Sequence, residues 1–113
     1  GVLWIQTDMS TSAMGRGELA TLGNNQMLAA DPRTGEVRRF LVGPIGCEVT
    51  GATATPDGRT MFINIQHPGE SPSERSDPAN PGRYSNWPDK RPGGRPRSAT
   101  VVIRKNDGGV IGT

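Results

Sequence analysis

The chain has 113 residues, a formal net charge of +2 and only 32% hydrophobic residues, beside 16 glycines and 10 prolines. No apolar run approaches the roughly 20 residues of a membrane span, and the single cysteine, Cys47, excludes an internal disulfide framework. A domain of this size buries roughly 60–70% of the surface its unfolded chain exposes, so we expect a core completed from outside the chain, and a part that is poorly ordered.

The chain starts inside an apolar run, Gly1-Val2-Leu3-Trp4-Ile5, with no polar leader or signal peptide ahead of it, so we expect a piece cut from a longer protein. Short segments rich in β-branched residues and bounded by Gly, Pro and Asp predict strands at 2–7, 26–30, 36–42, 48–54, 60–66 and 100–104, with a weak last one near 109–112. Leu19 to Leu22 supports one helical turn at most, so the reading is all-β. Asp31-Pro32-Arg33-Thr34-Gly35 closes a hairpin over 26–42, and Thr55-Pro56-Asp57-Gly58-Arg59 closes another over 48–66. In both turns Pro presets φ, Asp accepts backbone N–H groups and Gly takes positive φ.

The strands repeat. Val2-Leu3-Trp4-Ile5-Gln6-Thr7-Asp8 resembles Thr60-Met61-Phe62-Ile63-Asn64-Ile65-Gln66-His67 about 58 residues later, and the segment from Met27 to Val37 resembles that from Val101 to Val110. Four antiparallel strands per repeating unit describe a β-propeller blade. The expected architecture is therefore a propeller fragment of about one and three-quarter four-stranded blades. Residues 1–43 supply strands B, C and D of one blade, and 44–113 supply strands A to D of the next. A long loop, 67–99, interrupts the second blade between B and C and holds seven of the ten prolines. A loop of that length is functional or disordered.

This strand order makes a geometric prediction. The two Asp/Gly turns lie at one end of the strands, and segments 8–25, 43–48 and 67–70 gather at the other. Asp8, Asn25 and Glu48 then meet at a channel mouth, where oxygen donors suit a hard cation such as calcium, and Cys47 or His67 adds a softer ligand. Each residue also has a plainer reading. Asp8 caps a strand end, Cys47 is a small buried hydrophobe, and His67 has an extended backbone because it precedes Pro68. Glu48 is harder to explain structurally, since a carboxylate beginning a central strand is costly unless paired. Trp4, Phe40 and Phe62 are expected in the core.

Within the long loop, Arg83, Lys90, Arg91, Arg95 and Arg97 face one acid, Asp89, with Tyr84 and Trp87 interleaved. Basic charge with aromatic rings is how single-stranded nucleic acid is gripped, but no nucleic-acid motif accompanies it. We therefore expect a solvated loop and no nucleic-acid partner.

The run Gly43-Pro44-Ile45-Gly46-Cys47-Glu48-Val49-Thr50-Gly51, followed by Thr55-Pro56-Asp57-Gly58-Arg59-Thr60 and Asn64-Ile65-Gln66-His67-Pro68-Gly69-Glu70, resembles the C-terminal signature of the PhoX-type secreted alkaline phosphatases. Leu3-Trp4-Ile5-Gln6-Thr7-Asp8 and Asn24-Asn25-Gln26-Met27 resemble the segment before it, so the match spans nearly all of 2–70. The resemblance implies a parent several times longer, exported to the periplasm or beyond, that hydrolyses phosphate monoesters with calcium and iron bound at the propeller's central opening. It implies Asp8, Glu48 and Asn25 as metal ligands; the family's cysteine ligand does not carry over to Cys47. Beside that resemblance, His67 and Arg83 are expected to bind the phosphate ester, the loop arginines raising local phosphate concentration. On this reading the chain alone is not catalytic and binds no membrane. Its open strand edges favour self-association. The competing reading is a non-catalytic propeller segment that binds a protein or ligand through its basic loop.

Overall fold

A computed structural model describes residues 1–71 and 77–113; residues 72–76 of the long loop, Pro72 among them, lie outside the described residues. Six strands form in the expected places, each bound within one residue of expectation: β1 (Leu3–Gln6), β2 (Gln26–Ala30), β3 (Val37–Val42), β4 (Glu48–Ala54), β5 (Met61–Gln66) and β6 (Ala99–Ile103). A 3-10 turn, Gly17–Leu19, is the only helical piece among the described residues. No helix there is long and apolar enough to cross a membrane.

The strands make two antiparallel sheets, ordered β1-β2-β3 and β4-β5-β6. Side chains alternate across a strand, and β5 shows the consequence. Met61, Ile63 and Ile65 are buried, whereas Asn64 and Gln66 are exposed. The buried set joins Met27 of β2, Val49 of β4 and Cys47 in one cluster between the sheets. Trp4 and Phe40 pack against it, edge to face, with ring centroids 4.8 Å apart. Phe62 occupies the opposite face of β5 and stays half-buried, outside that cluster. The outward face of the first sheet leaves Leu3 and Ile5 exposed on β1 and Val37 exposed on β3.

Both hairpins close as their turn residues dictate. Asp31 Oδ1 accepts the Arg33 N–H at 2.8 Å, and the Gly35 N–H reaches the Asp31 carbonyl at 2.8 Å. In the second turn Asp57 Oδ1 accepts the Thr55 hydroxyl at 2.6 Å and the Arg59 N–H at 3.1 Å. The register of β4 against β5 shifts between Thr50 and Ala52. Gly51 fills that bulge with φ +56°, a left-handed conformation that favours glycine.

One expected strand does not form. Segment 109–112 makes no ladder with β6, so the second sheet has three strands rather than four. The chain turns at Lys105, whose carbonyl accepts the Gly108 N–H at 3.0 Å, and the Ile111 N–H then donates to Gly58 in the β4–β5 turn at 2.9 Å. Gly108 and Gly112 both adopt positive φ, which breaks an extended run before it can pair. Ile111 instead packs onto the core cluster.

Candidate functional site

The antiparallel order places three connections at one end of the strands: β1 to β2, β3 to β4, and β5 to β6. Hydrogen bonds join them. The Gly43 N–H donates to the Asn25 carbonyl at 2.7 Å, and the Gly69 N–H donates to the Ile45 carbonyl at 2.6 Å. The Asp/Gly turns lie at the other end, where the Arg59 guanidinium donates to the Gly108 carbonyl.

Asn25 is 2% exposed and its amide is fully engaged. Its oxygen accepts the Thr7 hydroxyl at 2.8 Å and the Met9 N–H at 2.6 Å. Its nitrogen donates to the carbonyls of Met9 at 3.0 Å and Cys47 at 2.9 Å. These partners flank Asp8 on both sides and immediately precede Glu48. One buried amide thus ties together the backbones that carry the two candidate acids. The Asp8 side chain is exposed and makes no hydrogen bond or ion pair among the described residues.

Glu48 starts β4 with its side chain 25% exposed. Its Oε2 lies 3.6 Å from His67 Nε2, while His67 Nδ1 lies 3.4 Å from Glu70 Oε2 and 3.2 Å from the Gly46 carbonyl. The imidazole therefore sits between two carboxylates. His67 departs from expectation in its backbone, which is left-handed at φ +37° rather than extended. Such a conformation costs on the order of 1–3 kcal/mol and survives where surroundings over-determine it. Here the ring contacts hold one side, and the His67 N–H donates to Ser98 Oγ at 3.1 Å on the other. Gly46 has φ +69°, and a Cβ there would collide with the Glu70 backbone, so the 43–47 loop can approach 67–70 only with glycine.

Cys47 behaves as its plainer reading predicts. It is fully buried in the core cluster, and burial pushes its thiol up to about 11, so it stays protonated at neutral pH. Among the described residues no three His, Cys, Asp or Glu side chains group as a metal site.

The described part of the long loop is held by specific contacts. Trp87 packs against the core cluster, and its carbonyl accepts the Arg97 N–H at 3.1 Å. The Arg97 guanidinium grips both Asp89 oxygens at 2.9 Å, which holds the Asp89 carboxyl below the usual carboxylate range. Described residues of the loop line an open cavity of about 650 Å³ whose walls include His67, Glu70, Arg83, Tyr84 and Arg95. Arg83 lies over the Tyr84 ring, 5.2 Å from its centroid. His67 and Arg83 both line this cavity. Tyr84 and Arg95 were hidden in a basic, aromatic run that reads as a solvated loop.

The sequence model of the family described as alkaline phosphatase PhoX matches residues 1–69. Among solved structures, Pseudomonas fluorescens PhoX in complex with vanadate, a transition state analogue, is 50% identical with a TM-score of 0.82. That match covers 99% of this chain and 17% of the other, so the chain spans about a sixth of the length of that relative. The likeness fits a propeller fragment. Comparison with curated proteins found no match.

Proposed function

The chain belongs to the PhoX family of alkaline phosphatases, and from that premise we propose that it forms two adjoining blades, divided near residue 43, of a metal-dependent phosphomonoesterase. The observation that carries this reading is 50% identity, across 99% of the chain, to a PhoX seen with a transition state analogue. Vanadate mimics a phosphoryl group in transfer, so its presence in that relative supports phosphoryl chemistry here. Because the chain spans 17% of that relative, the activity belongs to a longer protein to which these residues contribute. Export to the periplasm or beyond is the location we propose for it.

Asp8 and Glu48 are our candidates to hold calcium or iron. Their donor chemistry fits: carboxylate oxygens suit hard cations, Asp8 is exposed with no partner among the described residues, and Glu48 faces only the His67 ring. Asn25 fits less directly as a third ligand, because its oxygen already accepts two hydrogen bonds. Its contribution is to hold the Asp8 and Glu48 backbones in place. A cation bound by these acids supplies positive charge to phosphate oxygens and lowers the pKa of a coordinated water. His67 and Arg83, on the cavity wall, are proposed to bind the ester, Arg83 through charge-assisted hydrogen bonds to its oxygens.

The test uses the full-length phosphatase that contains this chain. In E48Q and D8N we expect the bound calcium and iron, counted by elemental analysis, to fall, and kcat/KM for p-nitrophenyl phosphate to drop ~100-fold or more. Unchanged metal content and turnover in both variants sink the ligand assignment. A wild-type protein that hydrolyses no phosphomonoester returns the chain to the non-catalytic binding reading.

A further inference from the structure

The cavity beside His67 has two arginines on its wall, Arg83 and Arg95, beside the carboxylates Glu70 and Asp77. Of the arginines near it, Arg97 is committed to Asp89 by two bonds of 2.9 Å, and Arg83 lies over Tyr84. Arg95 differs. It lines the cavity, is exposed, and has no hydrogen bond or ion pair among the described residues. Of the described carboxylates on the wall, Glu70 faces the His67 ring at 3.4 Å and Asp77 Oδ1 accepts the Ala79 N–H at 2.9 Å, and neither pairs with Arg95. A guanidinium is always charged and presents a planar fork of donors that matches a carboxylate or phosphate in two-pronged fashion. About 650 Å³ also exceeds what a bare phosphate fills and lies within the range of small-molecule sites. Pro68, Pro81 and Pro96 add apolar wall against which a carbon skeleton can rest.

We propose that Arg95 takes a second anionic group on the alcohol portion of the substrate, so that this cavity selects phosphomonoesters bearing a remote carboxylate or phosphate. This rests on the phosphatase reading above, and it names the substrate class of that site. Arg95 binds the part of the ester that does not react, while the ester phosphate lies toward His67 and the acids next to it.

The experiment separates binding from turnover by using non-hydrolysable phosphonate analogues of 3-phosphoglycerate and glycerol 3-phosphate, which differ in one carboxylate. Calorimetry on the metal-loaded full-length protein gives both Kd values. The carboxylate-bearing analogue is expected to bind ~10-fold more tightly, as a charge-assisted pair contributes. R95A abolishes that preference and leaves the Kd of the other analogue within about twofold. R95K, which keeps the charge and loses the fork, retains an intermediate preference. A wild type with no preference overturns the proposal, as does a preference that survives in R95A. Turnover of the two parent esters is measured in parallel. Absent turnover with an Arg95-dependent binding preference sinks the phosphatase reading and supports the anion site.

Discussion

Asn25 concentrates four hydrogen bonds in one buried amide, two accepted and two donated. Cutting it back to alanine leaves the Met9 N–H and the carbonyls of Met9 and Cys47 without that partner. Each unsatisfied buried group costs about 1–3 kcal/mol, so N25A is expected to lose about 2–4 kcal/mol in chemical denaturation. N25D should lose at least as much, because a carboxylate cannot donate to those two carbonyls and would repel them. A loss in N25A below about 0.5 kcal/mol, the range of neutral surface changes, would mean that the amide does not brace these loops. Chemistry-bearing residue types here were legible in sequence, but their division of labour was not. Asn25 and Asp8 both offered oxygen donors at the same end of the strands. Only burial separates the amide that holds the loop from the acid that faces solvent.

At the scale of elements, the Asp/Gly hairpins follow from local turn chemistry, and the long loop does not. Its described part is held by the Asp89–Arg97 pair and by Trp87 on the core, contacts between residues that composition alone presents as a solvated basic tract. Arg97 holds the folded-state Asp89 pKa below its ordinary 3.8. The pair therefore contributes fully above that ordinary value and is lost as pH falls below it through the depressed folded pKa. We expect the Arg97 Nε–H proton in NMR spectra to stay protected from exchange at pH 6 and to lose protection only below pH 3.8. In D89N the protection is absent throughout. Equal protection in D89N and wild type would show that the pair does not close the loop. The left-handed His67 is a second departure of this kind, since ring contacts and the Ser98 hydroxyl overrode the extended preference that Pro68 imposes.

At the scale of the whole molecule, a cluster of six buried apolar side chains among the described residues serves two sheets whose outer strands are β1 and β3 in one and β4 and β6 in the other. Apolar side chains remain exposed on the outward face of the first sheet, where Leu3 is 53% and Val37 54% accessible. Open edges and apolar faces both favour pairing with further chain. We therefore expect the isolated 113-residue chain to associate, with a sedimentation coefficient that rises with concentration. A monodisperse monomer across that range would count against it.

Strand positions, both hairpin turns and the gathering of Asp8, Asn25, Glu48 and His67 at one end follow from the sequence by itself. Period-two alternation and Pro/Asp/Gly turns are local rules, and antiparallel order then dictates which loops are neighbours. The tertiary structure decided what local rules cannot reach. Segment 109–112 gave up its ladder because its backbone found Gly58 and its isoleucine found the core. Arg97 was claimed by Asp89, Trp87 packed onto the core, and Arg95 was left on the wall of a cavity. Competition for partners between residues distant in sequence settled these outcomes.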